Sequence, residues 1–272
     1  MNRDKTLHEE LQNIYVWLVV LKEVINFTKI HHTLKEQAKE FAQSALRIIK
    51  KIAAVFLTVS ILSVVLLRFI NPPFTWLMLI RAAEQWHDGR SVRIQKKWKD
   101  LKDISPHIPL AFIAAEDQRF TEHFGFDFES IENAYENNNK PNRKRILGAS
   151  TISQQTAKNL FLWPQRSWFR KALEVYFTLL IELLWSKERI LEVYVNIVET
   201  GDGYYGVEAA SLKYFNRSAD KVSRQQAALL AAALPNPLKR NPKNPSKELL
   251  QRQKEILKQM DNIGKISLQM YP

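Results

Sequence analysis

The sequence predicts a mainly α-helical domain preceded by one membrane-spanning helix. Three observations carry this. Residues 52–67 form an unbroken run of apolar and small residues, relieved only by Thr58, Ser60 and Ser63. Downstream, apolar residues recur at helical spacing and no period-2 strand run of any length is present. The 272 residues are 46% hydrophobic with only 7 Gly, which supports a folded core and argues against disorder.

The apolar run is a little shorter than the roughly 20 residues of an ideal span. Lys50, Lys51 and Arg68 flank it, and cations at such positions can snorkel to headgroups. Asn71-Pro72-Pro73 ends the helix. A buried core helix would normally carry a polar face, which this run lacks. Upstream cations (Lys35, Lys39, Arg47, Lys50, Lys51) outnumber those downstream (Arg68, Arg81), which predicts an inside N-terminus. An uncleaved signal-anchor is expected, because the run begins far from Met1 and no small-residue cleavage site follows. Within residues 1–46, the run 14–21 is too short to span. It fits an interfacial helix or one packed on a partner.

Further along, 74–90 reads as a helix leaving the membrane and 91–100 as a basic, extended connector. A short helix over 110–119 delivers Glu116 and Asp117, and 126–135 is another apolar-bearing segment. Residues 136–145 are polar and turn-rich, as expected of a mobile loop. Thr151 and Gln154 match a capping box, which starts a helix. Residues 167–200 read as helix in two pieces with a break near Ser186. Gly201-Asp202-Gly203 is a tight turn; helices are expected over 207–215, 223–234 and 247–263. The domains expected are an extension (1–49), the anchor (50–70), a membrane-proximal segment (71–100), a helical outer domain (101–263) and a tail (264–272).

The formal net charge is +12, which favours nucleic acid, anionic headgroups or phosphorylated substrates. No groove-reading motif or basic-aromatic interleaving is present, so no nucleic-acid partner is expected. The chain has no cysteine, which excludes disulfides and thiolate chemistry. The six His show no metal-ligand spacing, so no zinc site built by the protein is expected. Neither Gly-x-Ser-x-Gly nor Ser-x-x-Lys occurs, leaving serine acyl transfer unsupported.

Three stretches can carry chemistry. Glu116-Asp117 follows the apolar run 111–115, so the carboxylate emerges at the lip of a core. Desolvation there would raise its pKa, as suits a base or acid near neutral pH. The same pair also fits solvated surface, and His123 is a second candidate base. On the helix opened by Thr151, Gln154, Gln155 and Lys158 share a face. Its start at Ser150-Thr151 offers N–H groups to an anion such as phosphate, or is an ordinary cap. Arg166, Arg170 and Glu174 recur every four residues with Lys171 beside them, as helical ion pairs or as a clamp on a diphosphate leaving group with an acid beside it. Residues 187–196 look structural, with Ile190, Leu191 and Tyr194 packing inward.

In this order the stretches resemble the family 51 glycosyltransferases that polymerise peptidoglycan glycan strands. Glu116-Asp117-x-x-Phe120-x-x-His123-x-Gly125 is similar to the first family motif. Gly148-x-Ser150-Thr151-x-x-Gln154-Gln155-x-x-Lys158-Asn159 is similar to the second. Arg170-Lys171-x-x-Glu174 resembles the third and Lys187-x-x-Ile190-Leu191-x-x-Tyr194-x-Asn196 the fourth. Arg252-x-x-x-Ile256-Leu257 matches the fifth more loosely. The likeness runs over about 106–257. With no room after Pro272 for a transpeptidase domain, it is to the monofunctional members.

The resemblance implies a lysozyme-like helical fold with a small, flexible, membrane-touching jaw over about 124–147. It implies an enzyme that joins lipid II units by β-1,4 bonds with inversion, releasing undecaprenyl diphosphate. Glu116 would be the base, and Lys158, Arg166, Arg170 and Lys171 would hold the donor diphosphate. Glu174 would organise that cluster or help bind a divalent ion, magnesium or manganese, with no cofactor obligatory. Asp117, Phe120, Ser150, Thr151, Gln154, Gln155 and Asn159 would bind substrate. Expected partners are lipid II, the lipid-linked glycan strand, membrane lipids and proteins of cell division or elongation, at a bacterial inner membrane with the catalytic domain periplasmic. Two alternatives are a lytic muramidase of lysozyme-like fold and a non-catalytic scaffold. The muramidase has no need of the cation cluster.

Overall fold

The structure is a computed structural model that describes residues 3–140 and 148–264. The expected tail beyond residue 264 and part of the expected jaw (141–147) lie outside the described residues. The chain divides into two compact units, Met1–Ile61 and Leu62–Pro272.

Helix α1 (Arg3–Phe69) carries the apolar run. Its Lys35–Phe69 stretch is long and apolar enough, by length and composition, to cross a membrane. Most of its side chains are exposed, as fits a single-pass anchor.

In the second unit, α2 (Trp76–His87) starts at an N-cap Thr75, whose hydroxyl accepts from Met78 N. The core is built by α3 (His107–Glu116), α5 (Ile152–Phe161), α6 (Trp168–Leu184), α7 (Lys187–Ile197), α8 (Gly206–Phe215), α9 (Arg224–Ala233) and α10 (Lys247–Ile263). Helix α3 packs on α9 and α10, while α5 packs on α6 and α7. The outward segment α4 (Phe128–Asn139) buries only Ala134. The predominance of helix is consistent with a lysozyme-like arrangement.

The expected break near Ser186 is present because Ser186 caps α7, its hydroxyl accepting from Arg189 N. Residues 247–263 form the expected amphipathic helix, burying Leu249, Ile256 and Met260. Two readings need correction. Helix α4 continues through Asn137 and Asn138 to Asn139, where a loop was expected from 136; Asp127 caps its start, and a helix once begun extends at little cost through residues of modest propensity. A small sheet also exists. The strands β1 (Gln95–Lys96), β2 (Glu199–Gly201) and β3 (Tyr204–Tyr205) lie in the order β1-β3-β2, with β1 parallel and β2 antiparallel to β3. Strands of two or three residues are too short to show alternation. The turn between β2 and β3 requires Gly203, at φ +73°, where a Cβ would lie 2.6 Å from Arg93 O.

The last turns of α1 are tied to the second unit's own helices. Trp185 Nε1 donates to Val64 O at 2.8 Å, and Arg189 Nη2 donates to Leu67 O and Ile70 O, each at 3.0 Å. Arg189 thus serves carbonyls that a helix end leaves unpaired.

Candidate active site

Helix α3 is buried along Ala111, Phe112, Ile113 and Ala114, and Glu116 is its last residue. That run carries the carboxylate to the lip of the core. Glu116 Oε2 accepts a hydrogen bond from Gln155 Nε2 at 2.8 Å. Gln155 Oε1 in turn accepts from Tyr194 Oη at 3.1 Å. Burial pushes the Glu116 carboxyl above the usual carboxylate range. The Gln155 hydrogen bond and the charges of Arg252 and Lys158 oppose that shift, and Asp117 adds to it.

Asp117 is almost fully buried and belongs to the frame. Its Oδ2 accepts from Ile152 N at 2.9 Å, and Oδ1 lies 2.8 Å from His123 Nε2. The start of α5 is closed by a complete capping box between Thr151 and Gln154. Thr151 Oγ1 also donates to Gly125 O at 2.7 Å. Of the two readings of this helix start, an anion site or an ordinary cap, the contacts favour the cap. The anion at the positive end of α5 is the chain's own Asp117, already bonded to the first helical N–H. His123 is likewise held by Asp117 and lines neither cavity described below, so its geometry does not offer a base to the cleft.

Gly125 completes this frame. At φ +79° a Cβ there would meet Thr178 Cγ2 at 2.8 Å, so the loop can pass close to α6 only as glycine. Lys187 Nζ reaches His123 O at 2.7 Å and Glu182 Oε1 at 2.8 Å, and Ser153 Oγ also bonds Glu182. Phe120 is fully buried beneath the Lys187 ammonium, which sits 4.6 Å from its ring centroid.

Beside Glu116 lies a cavity of 280 Å³ bordered by Asp117, Asp127, Ser130 and 148–151. A larger cavity of 620 Å³ adjoins it through Ser150. Four cations expected to work together, Lys158, Arg166, Arg170 and Lys171, all line the larger cavity with Gln154, Gln155 and Glu174. Arg170 Nη1 bonds Glu174 Oε2 at 2.6 Å and Lys171 Nζ bonds Glu174 Oε1 at 2.5 Å. Burial lowers the Lys158 pKa, and Arg170 and Lys171 lower it further, against Glu174 and Glu116. Four cations around one carboxylate leave a cavity with a surplus of positive charge, suited to a polyanion. Asn159 is buried and borders a smaller cavity that also touches Gln155 and Lys158.

The residues expected to bind substrate therefore divide. Glu116, Ser150, Gln154, Gln155, Lys158, Arg166, Arg170, Lys171 and Glu174 line the two cavities. Thr151 and Asp117 also border the smaller of them while serving the frame, and Phe120 lines neither. Tyr194 was read as packing alone; only the fold reveals its contact with Gln155.

A divalent cation was weighed for the Glu174 cluster. Both Glu174 oxygens already accept from Arg170 and Lys171, which fits an organising role better than a ligand role. Asp117, His123 and Asp127 bring ligand atoms within 4.8 Å of one another, a set compatible with a metal ion. Their partners include Ile152 N, Ser130 and, at 3.7 Å from Asp127, Arg119. No cofactor is established by these contacts.

The Transglycosylase family profile matches residues 84–261, more than half of the chain. The chain belongs to the transglycosylase family. Among its relatives is a biosynthetic peptidoglycan transglycosylase of Bacteroides thetaiotaomicron, 52% identical over 220 residues, covering 81% of this chain and 88% of the relative. A protein of the same description from Shewanella oneidensis is 53% identical over 209 residues, covering 77% and 88%. Another, from Pseudomonas syringae pv. syringae, is 48% identical over 222 residues, covering 82% and 93%. This transglycosylase thus shares most of its length with each of them.

Proposed function

We propose that the chain polymerises peptidoglycan glycan strands from lipid II. The observation that carries this is the adjacency of Glu116, a carboxylate raised in pKa, to a cavity lined by Lys158, Arg166, Arg170 and Lys171. Gln155 bridges the two, bonding Glu116 while bordering the cation cavity.

In this reading the 4-hydroxyl of the acceptor GlcNAc approaches Glu116, which takes its proton as the oxygen attacks the anomeric carbon of the lipid-linked MurNAc. The new β-1,4 bond forms with inversion as the bond to the diphosphate breaks. The electron pair leaves with undecaprenyl diphosphate, whose charge the four cations offset. Glu174 fixes the Arg170 and Lys171 head groups in place before substrate arrives. Ser150, Gln154, Gln155 and Asn159 are assigned to sugar and phosphate oxygens. Asp117 and Thr151 contribute by holding the first and second motifs together, and Phe120 by packing the first against Lys187 of the fourth.

The membrane helix anchors the chain with its N-terminus cytoplasmic and its catalytic domain periplasmic, a reading supported by the excess of upstream cations. The bacterial inner membrane is the assigned location. The jaw is assigned to α4 and its flanks, whose exposed Phe128 and Tyr135 suit a lipid surface.

The test separates synthesis from cleavage. Detergent-solubilised protein is given lipid II in one reaction and purified sacculi in another. Consumption of lipid II with intact sacculi supports the proposal; digestion of sacculi with lipid II untouched favours a lytic enzyme.

A further inference from the structure

Glu116 is the terminal residue of α3, with one acceptor bond to Gln155 holding its carboxylate. A primary amide can present either its oxygen or its nitrogen, and only the nitrogen can donate to an ionised carboxylate. What fixes the choice is on the other side of the amide. Tyr194 Oη, on α7, stands 3.1 Å from Gln155 Oε1 and donates to it. Tyr194 is fully buried and its ring packs edge-on to Phe112 of α3, at 6.1 Å between centroids and 77° between planes. The hydroxyl therefore has little freedom to move away.

We infer that Tyr194 is a positioning residue for the reaction, acting through the Gln155 amide to hold Glu116 where it accepts the acceptor's proton. This rests on the reading of Glu116 as the base. Tyr194 touches neither substrate nor Glu116 directly in this scheme; it sets which end of Gln155 faces the carboxylate. The charged and titratable groups facing Glu116 are Lys158 of α5, Arg252 of α10, Asp117 at the end of α3 and Tyr194 of α7. Of these, only Tyr194 reaches Gln155 Oε1.

Tyr194→Phe removes the hydroxyl and keeps the ring. With the amide released, the hydrogen bond that favours the ionised form of Glu116 weakens. The acidic limb of the kcat profile should move up by about half to one pH unit, and kcat measured on that limb should fall about three- to tenfold. KM for lipid II should change less than kcat, staying within about twofold, since the four cations and their Glu174 partner are unchanged. In a Gln155→Leu background the Tyr194→Phe change should have no further effect, because the route through the amide is already cut. Should Tyr194→Phe lower the yield of folded protein, 3-fluorotyrosine at position 194 keeps the ring and makes a stronger donor. The acidic limb should then move down.

The experiment is polymerisation of labelled lipid II by the full chain in detergent, followed across pH for these variants. An upward limb shift that vanishes in the Gln155→Leu background supports the relay. A Tyr194→Phe enzyme with wild-type rate and profile overturns it, as does a loss that adds in full to that of Gln155→Leu, or an unmoved limb with 3-fluorotyrosine. These results would leave the polymerase reading standing. A wild-type enzyme that makes no glycan would overturn both.

Discussion

Asp117 Oδ2 accepts the backbone N–H of Ile152 at 2.9 Å, so the second residue of one motif supplies the anion for the helix that carries the next. The segment ending in the candidate base and the helix bearing Gln155 and Lys158 are thereby held in one frame.

Asp117→Asn tests the junction. One oxygen of Asp117 serves Ile152 and the other faces His123, and an asparagine has only one acceptor oxygen to offer. Loss of one buried, charge-assisted bond should cost about 2 kcal/mol. A thermal melt should fall by about 4–8 °C for a domain of this size. An unchanged melting temperature would contradict the role assigned to Asp117.

The same carboxylate pair makes a prediction about pH and stability. The folded-state pKa of Glu116 is raised above its unfolded value by burial. Between those two values the folded state binds more protons than the unfolded state, so stability declines as pH rises through the window. At neutral pH the ionised carboxylate is a net burden on folding. Glu116→Gln should therefore melt higher than wild type at pH 7, with the advantage gone below about pH 4. Melts across pH check this. A variant less stable at pH 7 would contradict the desolvation account.

Much of this was legible beforehand, and the reasons are local. Thr151 and Gln154 announce the start of α5 because a capping box is a matter of three-residue spacing, and the break near Ser186 falls where that serine caps α7 by its hydroxyl alone. The spacing of Arg170, Lys171 and Glu174 placed these three together because an α-helix fixes such side chains on one face; Arg166 precedes the Ser167 cap of α6 and reaches the same cavity from the loop, which no helical spacing explains. What escaped depends on residues distant in the chain. Gln95 and Tyr204 pair across 109 positions in strands too short to alternate. Asp117 reaches Ile152 and Tyr194 reaches Gln155 only once α3, α5 and α7 are packed. No periodicity separates a tyrosine that packs from one that also donates.

Lys158 borders both the cation cavity and the smaller one beside Asn159, and burial lowers its pKa. Lys158→Ala should remove one charge-assisted contact to the departing diphosphate. The loss in kcat/KM for lipid II should be about 10- to 100-fold. Steady-state kinetics decide this, and unchanged parameters would remove the phosphate role from Lys158.

Glu174 holds Arg170 and Lys171 with its two oxygens, and both Glu174 and Arg170 are buried. Glu174→Gln leaves Arg170 with one anion fewer in a buried place and should destabilise the protein by about 3 kcal/mol. Because the oxygens are engaged, a chelator should leave wild-type turnover within about twofold. Loss of turnover on chelation, restored by magnesium or manganese, would require an ion, held either at Glu174 or by the Asp117, His123 and Asp127 set.

The most direct test of the account is a gel of the products formed from labelled lipid II by the wild type and by Glu116→Gln, before and after muramidase. The account predicts a ladder of glycan strands from the wild type, erased by muramidase, and no ladder from the equally well-folded variant. A ladder of comparable length from Glu116→Gln would contradict the assignment of Glu116 as the base, and the absence of any ladder from folded wild type would contradict the polymerase itself.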